Sequence, residues 1–198
     1  MLKSRSALES FRGQLVDGAN VHLTAAVRLG EVTNSRLLHI GVYPGTDAAA
    51  RVAAGASAVL GGTLPASPDR TAAAGNHLIF RIAPDQYWIL EGGIELTLET
   101  QLRAAIPADA GCVTSLDGAR TRLFIEGPRS RELLGRLVPL DLHPTVFPVG
   151  GFAQTGIHHV AGLLLRASEE RYEFFALRTF AAFTWEVLVD AARPFEDP

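Results

Sequence analysis

The sequence predicts an α+β protein built from two split β-α-β halves, each an antiparallel sheet with helices on one face. Three observations carry this. Short apolar runs of strand length recur between Gly, Pro and Asp clusters, at residues 37–42, 77–82, 87–90, 111–116 and 122–126. Other segments space their apolar residues one helical turn apart, most plainly Leu98, Leu102 and Ile106. A strand, a polar turn, a strand opening on Tyr and then a helix occur twice, around Arg81-Ile-Ala-Pro-Asp-Gln-Tyr-Trp-Ile-Leu90 and around Arg166-Ala-Ser-Glu-Glu-Arg-Tyr-Glu-Phe-Phe175. Either an internal duplication or two independent hairpin-plus-helix units accounts for the repeat.

Residues 1–30 have mixed polarity with Gly13, Gly18 and Gly30 breaking any period, which reads as an irregular N-terminal arm with a short strand near 21–29. Leu37-Leu-His-Ile-Gly-Val42 closes on Pro44-Gly45 and reads as a strand ending in a turn. Asp47 is placed to cap an alanine-rich helix over 48–60 that stops at Gly61-Gly62, with Gly55 an unfavourable residue inside it. Residues 64–70 form a turn-rich connector, and 77–90 a hairpin around Ala83-Pro-Asp-Gln86. An amphipathic helix over 94–105 ends before Pro107, and a strand follows at 111–116. This order, β-α-β-β-α-β, is that of a ferredoxin-like fold.

The remainder varies the theme. A strand at 122–126 leads to a helix with Pro128 as its first residue and Leu133, Leu134 and Leu137 on one side, running through Val138. Strands at 152–157, 162–166 and 172–177 precede a closing aromatic helix over 180–191. The expected organisation is therefore an arm (1–30), a first ferredoxin-like half (31–118) and a second half (119–198), packed as one folding unit.

The chain has 198 residues, 47% hydrophobic and 20% charged, enough for one large core or two small ones. Its net charge of -3, with Lys and Arg scattered, argues against nucleic-acid binding. A single cysteine, the absence of a signal-like start and the absence of any apolar run of bilayer length point to a cytoplasmic protein with no membrane association.

No residue set predicts catalysis, cofactor binding or metal binding. His158 and His159 are adjacent and on a strand would point to opposite faces, unable to share an ion. Asp141 and His143 lie two apart in a Pro-bounded loop, where local hydrogen bonding is the commoner use. Cys112 reads as a buried core residue, Asp117 as a turn cap or a partner of Arg120 or Arg122, and Trp88 and Trp185 as core packing. The glycine doublets at 61–62, 92–93 and 150–151 do not assemble into a phosphate-binding loop.

One long pattern is more specific. Leu116-Asp-Gly-Ala-Arg-Thr-Arg-Leu-x-Ile-x-Gly-Pro-Arg129, followed by Leu140-Asp-Leu-His-Pro144, Phe147-Pro148 and Ala153-Gln-Thr155, resembles the gamma subunit of heterotetrameric sarcosine oxidase. The similarity extends to the Leu64-Pro-x-x-Pro-x-Arg70 connector and the Ala83-Pro-Asp-Gln-Tyr-Trp-Ile-Leu90 hairpin, and fades before Gly30. It implies a fold related to the aminomethyltransferase of the glycine cleavage system and to folate-binding iron-sulfur assembly factors. The Lys-Gly-Cys-Tyr-x-Gly-Gln-Glu type signature of the latter is missing here.

The resemblance further implies an accessory, non-catalytic subunit bound to alpha, beta and delta subunits, chiefly alpha. In such a complex FAD, FMN and NAD on other subunits demethylate sarcosine, and the one-carbon unit passes to tetrahydrofolate. The alternative is a stand-alone folate-binding or aminomethyltransferase-like protein, for which Asp117, Glu126 and Asp141 are the candidate pterin-binding acids. An accessory subunit is expected to expose an apolar patch. Phe11, Leu15, Val21, Phe147 and Phe152 are the candidates for it; the other reading has them cover the edges of the chain's own core.

Overall fold

The computed structural model describes residues 6–9, 14–16, 19–33, 35–92 and 97–196. They form two compact units: residues 34–117, and the described residues of 1–33 with those of 118–198.

The unit of residues 34–117 holds β4 (Ser35–Val42), α1 (Ala48–Leu60), β5 (Ala72–Ala74), β6 (His77–Ala83), β7 (Gln86–Gly92), α2 (Thr97–Ala105) and β8 (Gly111–Ser115). Its sheet runs β5-β6-β7-β4-β8 with every pair antiparallel. Alternate residues Leu38, Ile40, Ile79, Ile89 and Val113 turn one face toward Val52, Ala56 and Leu60 of α1 and Leu98 and Leu102 of α2. Gly61, at φ 70, ends α1 in the left-handed conformation that glycine adopts without steric cost.

Two expectations fail here for local reasons. The Asp47 side chain makes no capping bond, because at φ -120 and ψ -1 the residue leaves the extended geometry that aims a capping oxygen back into the first turn. β5 was not expected, since three alanines at a sheet edge carry no strand signal. Gly55, unfavourable by propensity, has a packing reason: a Cβ there would lie 2.4 Å from the Ala105 carbonyl oxygen, so α1 and α2 approach as closely as they do through its bare backbone. The first turn expected for α2, residues 94–96, falls outside the described residues.

The other unit holds β1 (Gln14–Val16), β2 (Ala19–Leu23), β3 (Arg28–Glu31), β9 (Arg120–Glu126), α3 (Ser130–Gly135), β10 (Phe152–Ile157), β11 (Val160–Arg166), β12 (Arg171–Leu177) and α4 (Ala181–Ala192). These strands order as β1-β2-β3-β9-β12-β11-β10, again antiparallel throughout. Leu123, Ile125, Leu164, Tyr172 and Phe174 form a core with Leu133 and Leu134 of α3 and Trp185 and Leu188 of α4.

The N-terminal segment is not an arm. β1 to β3 make a meander whose last strand pairs with β9, and Leu8, Val27 and Leu29 enter the core. Strands of three to five residues are too short to show a period, so only the partner β9 makes them regular. Glu31, buried on β3, secures the segment ahead of them: it accepts from the Ser6 hydroxyl, from the Ala7 N–H at 2.9 Å and from the Thr121 hydroxyl at 3.2 Å. Arg178 adds a bond to the Ser6 carbonyl at 3.0 Å.

α3 is also shorter than expected. It begins at Ser130 rather than Pro128 and ends at Gly135; the Leu137 and Val138 N–H groups both return to the Leu134 carbonyl as a tightened turn before Pro139.

Candidate functional site

Each sheet has a second face, turned away from its helices, and the notable polar groups lie there or at its ends. On the seven-stranded sheet the register sets Arg28, Glu126 and Arg171 in one row and Phe124 beside Glu173 in the next. Glu173 is nearly fully buried and accepts from Arg122 Nε at 2.8 Å, Arg122 Nη2 at 2.6 Å and Arg171 Nε at 3.0 Å. Glu126 lies 3.5 Å from Arg28 and 3.4 Å from Arg171. The guanidinium carbons of Arg28 and Arg171 sit 5.2 and 4.5 Å from the Phe124 ring centre, and that of Arg122 lies 5.7 Å from Phe175. These alternating charges and rings lock β3, β9 and β12 in register, and arginines hold both carboxylates. Burial alone lowers the pKa of Arg120, on the same face.

In the unit of residues 34–117, Arg36 is a buried charge. Its Nε donates to Asp117 at 2.9 Å and its Nη2 to Glu99 at 3.0 Å, while Asp117 also accepts the Leu37 N–H at 2.8 Å. Burial works against the Arg36 charge, but hydrogen bonds and charge from Asp117 and then Glu99 outweigh it, and its pKa is raised. Asp117 therefore pairs with Arg36 across the fold, not with Arg120 or Arg122. A partner 81 residues away leaves no trace in local sequence.

Cys112 also departs from its expected place. It is partly exposed on the second face of β8, opposite the helices. Gly41 faces it across β4, and a Cβ there would meet Cys112 Sγ at 3.2 Å and His39 Cε1 at 3.4 Å, so the missing side chain leaves thiol and imidazole as neighbours. Burial holds the His39 pKa below the usual histidine value, with a Gln86 hydrogen bond opposing. A hydrogen bond to Cys112 is the largest cause holding the exposed Tyr43 phenol above its usual pKa. His39, Tyr43 and Cys112 thus gather where β4 pairs with β8.

Other expected positions resolve one by one. The Asp141 carboxylate accepts the His143 N–H at 2.8 Å, and His143 Nδ1 lies 2.7 Å from the Thr145 hydroxyl, a local turn network. His158 and His159 are not on a strand: they are the two turn residues between β10 and β11, and their ring centres are 4.0 Å apart rather than on opposite faces. Among the described residues no group of three or more His, Cys, Asp or Glu is placed to hold a metal ion. Trp185 lies in the core, and Trp88 is buried on the face away from the helices.

The expected apolar patch is corrected as well. Val21, Phe147 and Phe152 are buried, Phe147 as part of the core of its unit; Phe11 and the Leu15 side chain lie outside what is described. Among the described residues the exposed large apolar side chains are instead Leu23, Tyr43, Val146 and Val149 beside Phe147, and Leu177, Phe180 and Phe183 at the start of α4. Sequence reasoning also missed Glu31 and Glu173. The Arg171-Tyr-Glu173 alternation, which puts both charges on one strand face, was the available signal.

Comparison with known proteins fits this architecture. The structure is similar to heterotetrameric sarcosine oxidase from Corynebacterium sp. U-96 in complex with pyrrole 2-carboxylate: TM-score 0.78, 28% identity, covering 90% of this chain and 89% of that one. The glycine cleavage system aminomethyltransferase T from Bartonella henselae shares the fold at TM-score 0.61 and 16% identity, over 86% of this chain and 47% of that chain. Sarcosine oxidase subunit gamma of Corynebacterium sp. (strain U-96) is 28% identical over 181 residues, 91% of this chain and 86% of that protein. The Arthrobacter sp. subunit gamma is 28% identical over 197 residues, 98% and 92% of the two chains. A match of residues 45–194 to the model of the sarcosine oxidase, gamma subunit family spans most of the sequence, and the chain belongs to that family.

Proposed function

We propose that this chain is an accessory, non-catalytic gamma subunit of a cytoplasmic complex that oxidatively demethylates sarcosine and passes the one-carbon unit to tetrahydrofolate. The family match over residues 45–194 carries this reading. Two features of the chain support it. The candidate acids are engaged within the fold, Asp117 by Arg36, Glu126 by Arg28 and Arg171, and Asp141 by its own loop. Exposed Leu177, Phe180 and Phe183 cluster at one helix start, the kind of surface that subunits bury. In this reading alpha, beta and delta subunits are the partners, chiefly alpha, and FAD, FMN and NAD reside on them. Co-expression with those three subunits is expected to give a stoichiometric complex. Full sarcosine oxidase activity from the other three, with this chain never co-purifying, would refute it.

The fold shared with the aminomethyltransferase favours one second reading, a stand-alone folate-binding protein. Calorimetric titration of the isolated chain with a reduced folate separates the two. Tight binding without partners supports the second reading; no heat of binding supports the first.

A further inference from the structure

A strand would send the side chains of His158 and His159 to opposite faces, but at the tip between β10 and β11 they stand in a turn. Ile157 pairs with Val160, so His158 and His159 are the two central residues of a tight hairpin. His158 takes φ 54, the left-handed conformation such a turn requires. As a result the imidazoles lie side by side, centres 4.0 Å apart and planes inclined by 50°. Both residues are exposed. The tip is held in place: the His158 N–H donates to the Leu137 carbonyl at 3.0 Å, and the Phe183 ring backs the His158 ring at 6.3 Å with planes 25° apart.

We propose that the His158–His159 tip binds a divalent transition metal ion of the zinc type through two imidazole nitrogens, with water completing its coordination. Imidazole nitrogen suits such ions, and Zn–N distances near 2.0–2.1 Å put the centres of two rings on one tetrahedral ion about 5 Å apart. The observed 4.0 Å separation is close to that value, and both rings are exposed, which leaves their side-chain torsions free to adjust. The fixed turn has already met the ordering cost that a flexible pair would face on binding. Because the pair is not joined by a third protein ligand among the described residues, the ion keeps positions open for water or an incoming ligand.

The test uses the full chain, free of any affinity tag, stripped with chelator and titrated with zinc chloride in a calorimeter. Saturable one-to-one uptake is expected, weakened about tenfold or more in both His158→Ala and His159→Ala, and unchanged in His143→Ala. Unsaturable uptake, or affinity in either tip variant equal to that of the unaltered chain, would overturn the proposal. A second measurement needs no variant: in the unaltered chain, zinc should shift two imidazole resonances by NMR, and shifts spread over other histidines or absent altogether would overturn it too.

Discussion

The two units solve one topological problem with different stretches of chain. Taken from the strand beside the first one, the sheets read β8-β4-β7-β6-β5 and β3-β9-β12-β11-β10. In the first, that flanking strand comes after the second helix, as in a β-α-β-β-α-β order. In the other, α4 is followed by no strand among the described residues, and β3 from the N-terminal segment pairs antiparallel with β9 in the same position. The first helix of the pattern differs as well: α1 has 13 residues and α3 only 6. What the architecture requires is a strand in each place, and which part of the chain supplies it is free to change.

The units also stabilise their sheets differently, and this contrast can be broken by mutation. The largest effect is expected for Glu173→Ala, which leaves Arg122 and Arg171 without their shared carboxylate in a buried setting. A loss of about 3–5 kcal/mol is expected in chemical denaturation. Asp117→Ala, at a carboxylate with 32% side-chain exposure, should cost clearly less; equal losses would show that the two charge networks are equivalent. Gly55→Ala should cost about 1–3 kcal/mol, toward the upper end because the new Cβ meets backbone. Its signature is faster hydrogen exchange in α1 and α2 with β9 and β12 unchanged.

Glu31→Ala sharpens the contrast between flanking strands. It deprives the Ala7 N–H and the Thr121 hydroxyl of their acceptor and should cost about 1–2 kcal/mol. Exchange should quicken in β3 and not in β8. The smallest effect concerns His39, whose folded pKa is depressed by burial. Below its usual value near 6.5 the unfolded chain binds a proton that the folded chain resists, so stability falls as pH drops through that region and is flat above it. His39→Gln should reduce that acid-side slope in melting experiments; an unchanged slope would assign it to other groups.

Much of this fold was legible because its signals are local. The helix α1, the hairpin β6–β7 and the three strands β10 to β12 rest on alternation, turns and caps that lie within a dozen residues. What escaped is non-local. β1 to β3 are regular only because β9 receives them, Asp117 finds Arg36 across the unit, and Gly55 looks like a flaw until α2 is beside it. The candidate site was legible in identity more than in position: His158 and His159 were noticed, but a strand was assumed where a two-residue turn stands.

The pairing of β3 with β9 has a consequence during synthesis. When residues 28–31 leave the ribosome, the strand that will receive them has not been made, and some 90 residues separate Glu31 from its partner Leu123. At ordinary elongation rates that interval is roughly 5–20 s. Residues 34–117 contain a complete set of strands and can fold within it, while the nascent β2–β3 hairpin waits with one edge open to solvent and to other chains. The order of strands within one chain thus fixes which half has its full set of strands first.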